Sequence, residues 1–241
     1  MTDALCSTDA YLTTCDAVVR EVRDEGIVLD RTVCYARGGG QPGDTGILRW
    51  EAGSCVLAET VKSRADGETL HVPAEGATAP TPGTAVVVEI DWDRRRVFMR
   101  THTALHALSG VVFTDYGARV TGGNMDLGSA RMDFELDGIS QEFGKEVEEK
   151  LNARLREDHP VHVSFLPRAE ALSDPDLIRT KVSLIPEAVD PIRVIDIEGV
   201  DKQADGGTHV RSTAEVGRVT VVKTESKGKA NKRMRIELSE P

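Results

Sequence analysis

Two short segments, roughly a hundred residues apart, constrain this chain more than any other feature of its sequence. The first, His102-Thr-Ala-Leu-His106, sets two imidazoles four residues apart; on a helix both share one face and can reach a single ion. The second, Asp205-Gly-Gly-Thr-His209, repeats that spacing, but its paired glycines call for a tight loop instead of a helix. If the two serve one site, the fold has to bring a helix and a distant loop to the same place, as a transition-metal centre would require. Histidines four apart also arise by chance in a chain this long, so the flanking residues matter. Leu105, Leu108 and Val112 recur at helical spacing, which predicts a core-facing stripe adjacent to the histidine face and partly separate from it.

The pattern around these segments predicts an α+β protein of two domains. In residues 1–90, short apolar alternations are broken by Gly, Pro and Asp. Residues 26–29, 32–35, 46–50 and 85–90 read as strands of a small closed β-barrel, and residues 73–83, rich in Pro and Gly, read as a surface loop. Residues 91–241 mix the two periodicities. Ser140 is placed to cap a helix whose apolar stripe is Phe143, Val147, Leu151 and Leu155, and His159-Pro160 stops it. Residues 161–165, 192–197, 218–223 and 233–238 alternate like strands, so helices packed on a largely antiparallel sheet are expected.

At 241 residues the chain is long enough for two modest cores. The first residues lack a basic start followed by an apolar run, and no stretch of 18 apolar residues occurs, so neither secretion nor membrane insertion is indicated and a cytoplasmic protein is expected. Cys6, Cys15, Cys34 and Cys55 lie in no Cys-x-x-Cys arrangement and read as reduced, mostly buried thiols.

Charge points two ways. Forty acidic against 30 basic residues give a formal net charge of −10, unfavourable for a polyanionic partner at ordinary salt. An excess of 21 arginines over 9 lysines fits life in a salty cytosol, where screening leaves only local patches effective. Such patches exist at residues 223–235 and at Arg94-Arg95-Arg96; runs of this kind are either solvated faces or phosphate contacts.

The segments Arg100-Thr-His-Thr-Ala-Leu-His106, Gln203-Ala-Asp-Gly-Gly-Thr-His-Val210 and Gly38-Gly-Gly-Gln-Pro-Gly-Asp-Thr-Gly46 together resemble the editing region of alanyl-tRNA synthetases. The chain resembles still more closely the free-standing alanyl-tRNA editing proteins of the AlaX type, from about residue 30 to the basic C-terminal stretch. The resemblance implies hydrolysis of alanine tRNA mischarged with serine, glycine or both, at a site with one Zn2+ per chain held by His102, His106, Asp205 and His209. His102, His106, His209 and Thr103 become the catalytic candidates; Thr103, between the two helical histidines, either reads the serine hydroxyl or only packs within the helix. Gly38, Gly39, Gly40, Gln41, Gly206, Gly207 and Thr208 become candidates for substrate or tRNA contact, and Lys227, Lys229, Lys232 and Arg233 for phosphate contact. In relatives the glycine motif faces the editing cleft; on its own it reads as a structural turn.

Asp205 departs from the family, which usually has cysteine there. A carboxylate is an accepted zinc ligand but a harder one, so weaker and less selective binding is expected. Asp205 could instead only cap the Gly206-Gly207 turn, leaving three histidine ligands. Two roles for the ion stay open: lowering the pKa of a bound water, or orienting the substrate. The expected partner is mischarged tRNA(Ala), with no membrane and no obligate protein partner, and the length leaves no room for an aminoacylation domain, which predicts an editor acting in trans. The alternatives are a tRNA-binding module that has lost catalysis and a metal-dependent hydrolase of a small ester or amide. His71, His159 and His162 have no partner at ligand spacing and stay outside the site.

Overall fold

A computed structural model describes residues 1–174, 177 and 189–239. The chain divides into two compact units, Met1–Val97 and Phe98–Pro241.

The first unit is built from β1 (Asp3–Ala4), β2 (Thr14–Arg23), β3 (Gly26–Leu29), β4 (Arg31–Thr32), β5 (Gly46–Trp50), β6 (Gly53–Lys62), β7 (Thr69–Pro73) and β8 (Ala85–Ile90). Six of these close a barrel in the order β2-β3-β7-β6-β5-β8, every pair antiparallel, while β1 and β4 pair in parallel beside it. Strand side chains alternate between faces, so Ala17 and Val19 of β2, Leu48 of β5, Cys55 and Leu57 of β6, and Val86, Val88 and Ile90 of β8 fill the interior. Val18, Val56 and Val87 take the alternate, exposed positions.

One expected strand is cut short. Residues 33–35 are buried but irregular, because side chains take the backbone groups a ladder would use: the Cys34 N–H donates to Thr32 Oγ1 at 3.0 Å and the Tyr35 N–H to Asp44 Oδ2 at 2.6 Å. Asp44 also receives Arg95. The fully buried Arg95 guanidinium bonds both Asp44 carboxylate oxygens and the carbonyls of Ala10 and Val33. Arg95 is therefore no part of a solvated basic run; it is an internal cation that ties together the loops of the first unit.

The second unit contains the rest of α1 (Trp92–Tyr116), whose start is capped by Asp91 Oδ1 accepting the Arg94 N–H at 3.1 Å. Then come β9 (Val120–Asp126), β10 (Ser129–Phe134), α2 (Gln141–Arg156), β11 (Val161–Leu166), α3 (Arg168–Ser173), β12 (Ile192–Ile197), β13 (Asp201–Ala204), β14 (Val219–Ser226) and β15 (Lys232–Leu238). They form two antiparallel sheets, β14-β15-β10-β9 and β11-β12-β13. The fold is thus α+β with an N-terminal barrel. Ser140 Oγ accepts the Phe143 N–H at 3.1 Å, and Val147, Leu151 and Leu155 are buried, each contributing roughly 1.5–3 kcal/mol.

α2 also closes the free edge of β14. Asn152 donates to the Val219 carbonyl at 2.7 Å and accepts its N–H at 2.9 Å, and Glu148 Oε2 accepts the Val221 N–H at 2.8 Å. The basic C-terminal stretch is a β14–β15 hairpin whose turn, residues 227–231, is closed by the Lys227 N–H donating to the Asn231 carbonyl at 2.8 Å.

Helix α1 corrects another expectation. Every residue from 98 to 112 is buried, so no core stripe separates from a histidine face. Thr101, His102, Thr103, His106 and Ser109 are all enclosed, and buried polar groups on a helix need partners. For His102, Thr103, His106 and Ser109 those partners come from the β12–β13 hairpin and the loop after it.

Candidate metal centre

The β13 strand ends at Ala204, and the next residue turns the chain toward α1. Asp205 Oδ2 accepts the Gly207 N–H at 2.6 Å, a local carboxylate turn that sends His209 back toward the helix. The capping role and the ligand position foreseen as alternatives for Asp205 therefore coexist: Oδ2 lies 3.2 Å from His209 Nε2, and Oδ1 lies 3.6 Å from His102 Nε2. The three imidazoles face one another with ring centroids 5.1 Å apart for His102 and His106, 4.4 Å for His102 and His209, and 4.7 Å for His106 and His209.

One ligand atom from each of His102, His106, Asp205 and His209 lies within 4.8 Å of the others. Ligand atoms around a tetrahedral zinc stand about 3.4 Å apart, so small side-chain adjustments bring all four onto one ion. The donor chemistry fits as well. Burial pushes His102 down to about 4, against the pull of Asp205, and burial likewise holds His209 well below the ordinary histidine value; both present neutral lone pairs. Burial alone would raise Asp205, but the surrounding imidazoles outweigh it and keep the carboxyl well below the usual range. Burial also works to lower His106, yet the hydrogen bond and charge of Asp201 prevail and raise it. The cluster can hold a metal ion.

Thr103 is fully buried, with Oγ1 3.1 Å from His209 Nδ1 and 3.3 Å from the Val210 N–H that donates to it. These two bonds make Thr103 a support for the His209 ring. Gly206, Gly207 and Thr208 form the connection between two donors; Gly206 is exposed, and Gly207 and Thr208 are buried.

The Gly38–Gln41 segment, in the first unit, is a two-residue turn closed in both directions. The Gly38 N–H donates to the Gln41 carbonyl at 3.1 Å and the Gln41 N–H to the Gly38 carbonyl at 2.8 Å. Gly39 and Gly40 have φ of 55° and 83°, a left-handed pair that glycine adopts without a Cβ penalty, and the Tyr35 hydroxyl donates to the Gly38 carbonyl at 2.8 Å. Gln41 is buried.

Two of the four candidate phosphate contacts are otherwise employed. Lys232 is buried, its ammonium donating to the Gly228 and Lys229 carbonyls at 2.6 and 3.1 Å, and Arg233 bonds Asp133 through Nε and Nη2 at 2.6 and 2.8 Å. Lys227, which pairs with Glu225 at 3.8 Å, and Lys229 are exposed on the hairpin turn.

Sequence reasoning passed over Asp201, which meets His106 from four residues ahead of Asp205. The signal available was the spacing itself, since alternate positions of a short strand beside the Asp205 turn share a face. His71 proves to be internal to the barrel, 2.8 Å from Thr32 Oγ1 and 3.0 Å from the Ile27 carbonyl oxygen. His162 is exposed, and His159 pairs with Glu157 beyond the end of α2.

Barrel, α+β unit and a cluster of three buried histidines and one partly buried carboxylate together define a two-unit protein whose side chains could hold a metal ion. Residues 192–235 match the threonyl and alanyl tRNA synthetase second additional domain, and residues 9–94 match the class II (A) tRNA synthetases. The chain is 35% identical over 239 residues to the alanyl-tRNA editing protein AlaX-M of Methanosarcina acetivorans, covering 97% of this chain and 98% of that one. It is 34% identical to AlaX-M of Saccharolobus solfataricus over 97% and 98% of the two chains, and 36% identical to the alanine–tRNA ligase of Pyrobaculum aerophilum over 90% of this chain and 25% of the ligase. The chain belongs to the alanyl-tRNA editing protein family.

Proposed function

We propose that the chain hydrolyses the ester of tRNA(Ala) mischarged with serine, glycine or both, at a Zn2+ centre formed by His102, His106, Asp205 and His209. The observation that carries this reading is the convergence of three buried histidines and a partly buried carboxylate in a member of the editing family. A divalent ion held by His102, His106, Asp205 and His209 would supply Lewis acidity toward an acyl ester. Burial keeps His102 and His209 neutral, so their lone pairs are available at ordinary pH. Asp205 brings one negative charge, oriented by the Gly207 N–H, and Thr103 fixes the ring of His209.

We assign the Gly38-Gly39-Gly40-Gln41 turn to contact with the tRNA acceptor end, and Gly206, Gly207 and Thr208 to the substrate side of the donor loop. Exposed Lys227 and Lys229 are the phosphate contacts. A cytoplasmic location accompanies this role; among the described residues no helix is long and apolar enough to cross a membrane.

The test is deacylation of serine- and glycine-charged tRNA(Ala) in high salt, with metal content determined on the same sample and His106→Ala and Asp205→Cys run in parallel. Hydrolysis with about one zinc per chain, abolished by His106→Ala, is the expected outcome. Asp205→Cys should tighten zinc by about tenfold or more in chelator competition, since thiolate is the softer ligand. The aspartate in the place of the family's cysteine favours one second reading, a retired tRNA-binding module. No hydrolysis by the unsubstituted chain, with recovery in Asp205→Cys, would establish that reading instead.

A further inference from the structure

We infer that Asp201 is a positioning residue for His106, delivered by the β12–β13 hairpin, and that Gly110 sets the approach that makes the contact; the inference rests on the metal-centre reading above. His106 Nδ1 lies 3.0 Å from Asp201 Oδ2 in a buried environment. The same oxygen accepts from Gln203 Nε2 at 2.8 Å, and Gln203 Nε2 also donates to Ser109 Oγ at 3.1 Å on the next turn of α1. An oxygen receiving Gln203 from one side acts as an acceptor toward His106. The imidazole proton is therefore held on Nδ1 and the lone pair on Nε2 is turned to the centre. A ligand histidine whose other nitrogen donates to a carboxylate is fixed in tautomer and ring angle and made more basic, and removing that support costs 10–100-fold in metal affinity.

Gly110 carries the second observation. It stands one helical turn beyond His106, where a Cβ would collide with the Val200 carbonyl oxygen and lie 3.2 Å from Asp201 Cβ. The hairpin can rest on α1 at Asp201 only because position 110 has no side chain. Alanine there forces helix and hairpin apart and lengthens the Asp201 contact while touching no metal ligand.

The experiment measures Co2+ and Zn2+ affinity by chelator competition, together with the visible absorption of the Co2+ form, for the full chain and for Asp201→Ala, Asp201→Asn and Gly110→Ala. Thermal melts verify that each variant is folded. Asp201→Ala should bind 10–100-fold more weakly with an altered cobalt spectrum. Asp201→Asn, isosteric and still an acceptor but uncharged, should fall between it and the parent, and Gly110→Ala should weaken binding in the same direction. A purely structural role would lower the melting temperature and leave affinity and spectrum unmoved. Folded Asp201→Ala and Asp201→Asn within twofold of a parent that binds metal overturn this inference alone. A parent chain that takes up no divalent ion overturns the centre itself and this inference with it.

Discussion

Histidines at two places in this chain show how position, not residue type, decides what an imidazole does. His102, His106 and His209 converge with a carboxylate, whereas His71 spends both ring nitrogens on the barrel interior. Its Nδ1–H donates to the Ile27 carbonyl, which can only accept, so Nε2 receives the Thr32 hydroxyl. Burial pushes His71 from an ordinary 6.5 down to about 4. The unfolded chain therefore binds a proton between those values that the folded chain refuses. His71 contributes its full share to stability above about pH 6.5; that share is lost as pH falls toward 4, with no further loss below. The shift corresponds to about 3 kcal/mol. Urea unfolding of the parent and of His71→Gln from pH 7 to pH 4 should show the gap between them closing by that order. A gap independent of pH would remove His71 from the acid response. The three convergent histidines were legible once their four-residue spacings were read together with the flanking residues and the glycine loop, since spacing by itself also arises by chance. Asp201 was passed over: its alternate-position relation to Asp205 lay in the sequence, but a lone carboxylate on a four-residue strand does not show which helix residue it meets.

Among the elements, α2 and β14 illustrate edge protection by side chains. Asn152 satisfies both backbone groups of Val219, so Asn152→Ala leaves a buried N–H and carbonyl without partners, at a cost of about 1–3 kcal/mol. The denaturant midpoint should fall accordingly while the metal content stays unchanged; an unaltered midpoint would mean that water replaces the amide. The same element scale shows where sequence patterning worked. β3, β5, β8 and β12 are rich in branched apolar residues, and their periodicity identified them. The pattern hid β6 behind Gly53-Ser54 and β9 behind Gly122-Gly123-Asn124, residues with low strand preference that tertiary pairing overrides. Conversely, residues 33–35 have a strand's composition, yet Thr32 and Asp44 capture their N–H groups. Competition of this kind depends on an aspartate nine residues past Tyr35, and no local window contains it.

For the whole molecule, a net charge of −10 sets the terms of any encounter with a polyanion. With Lys232 and Arg233 engaged internally, the hairpin turn offers Lys227 and Lys229. Replacing both by alanine should weaken tRNA binding and reduce the slope of log affinity against log salt by roughly 1 to 2. Filter binding between 50 and 500 mM salt, taken as an order-of-magnitude range, measures it; an unchanged slope would move the phosphate contacts elsewhere. Lys232→Ala should behave differently, loosening the turn it caps through two carbonyls.

The donors at the centre come from α1 and from the loop that follows β13, stretches far apart along the chain. An ion gripping both is also a clasp, closing a long loop as a covalent cross-link would. Its binding energy then belongs to folding as much as to chemistry. A chelator would accordingly act on this chain as a mild denaturant, lowering its melting temperature and exposing the donor loop to proteases.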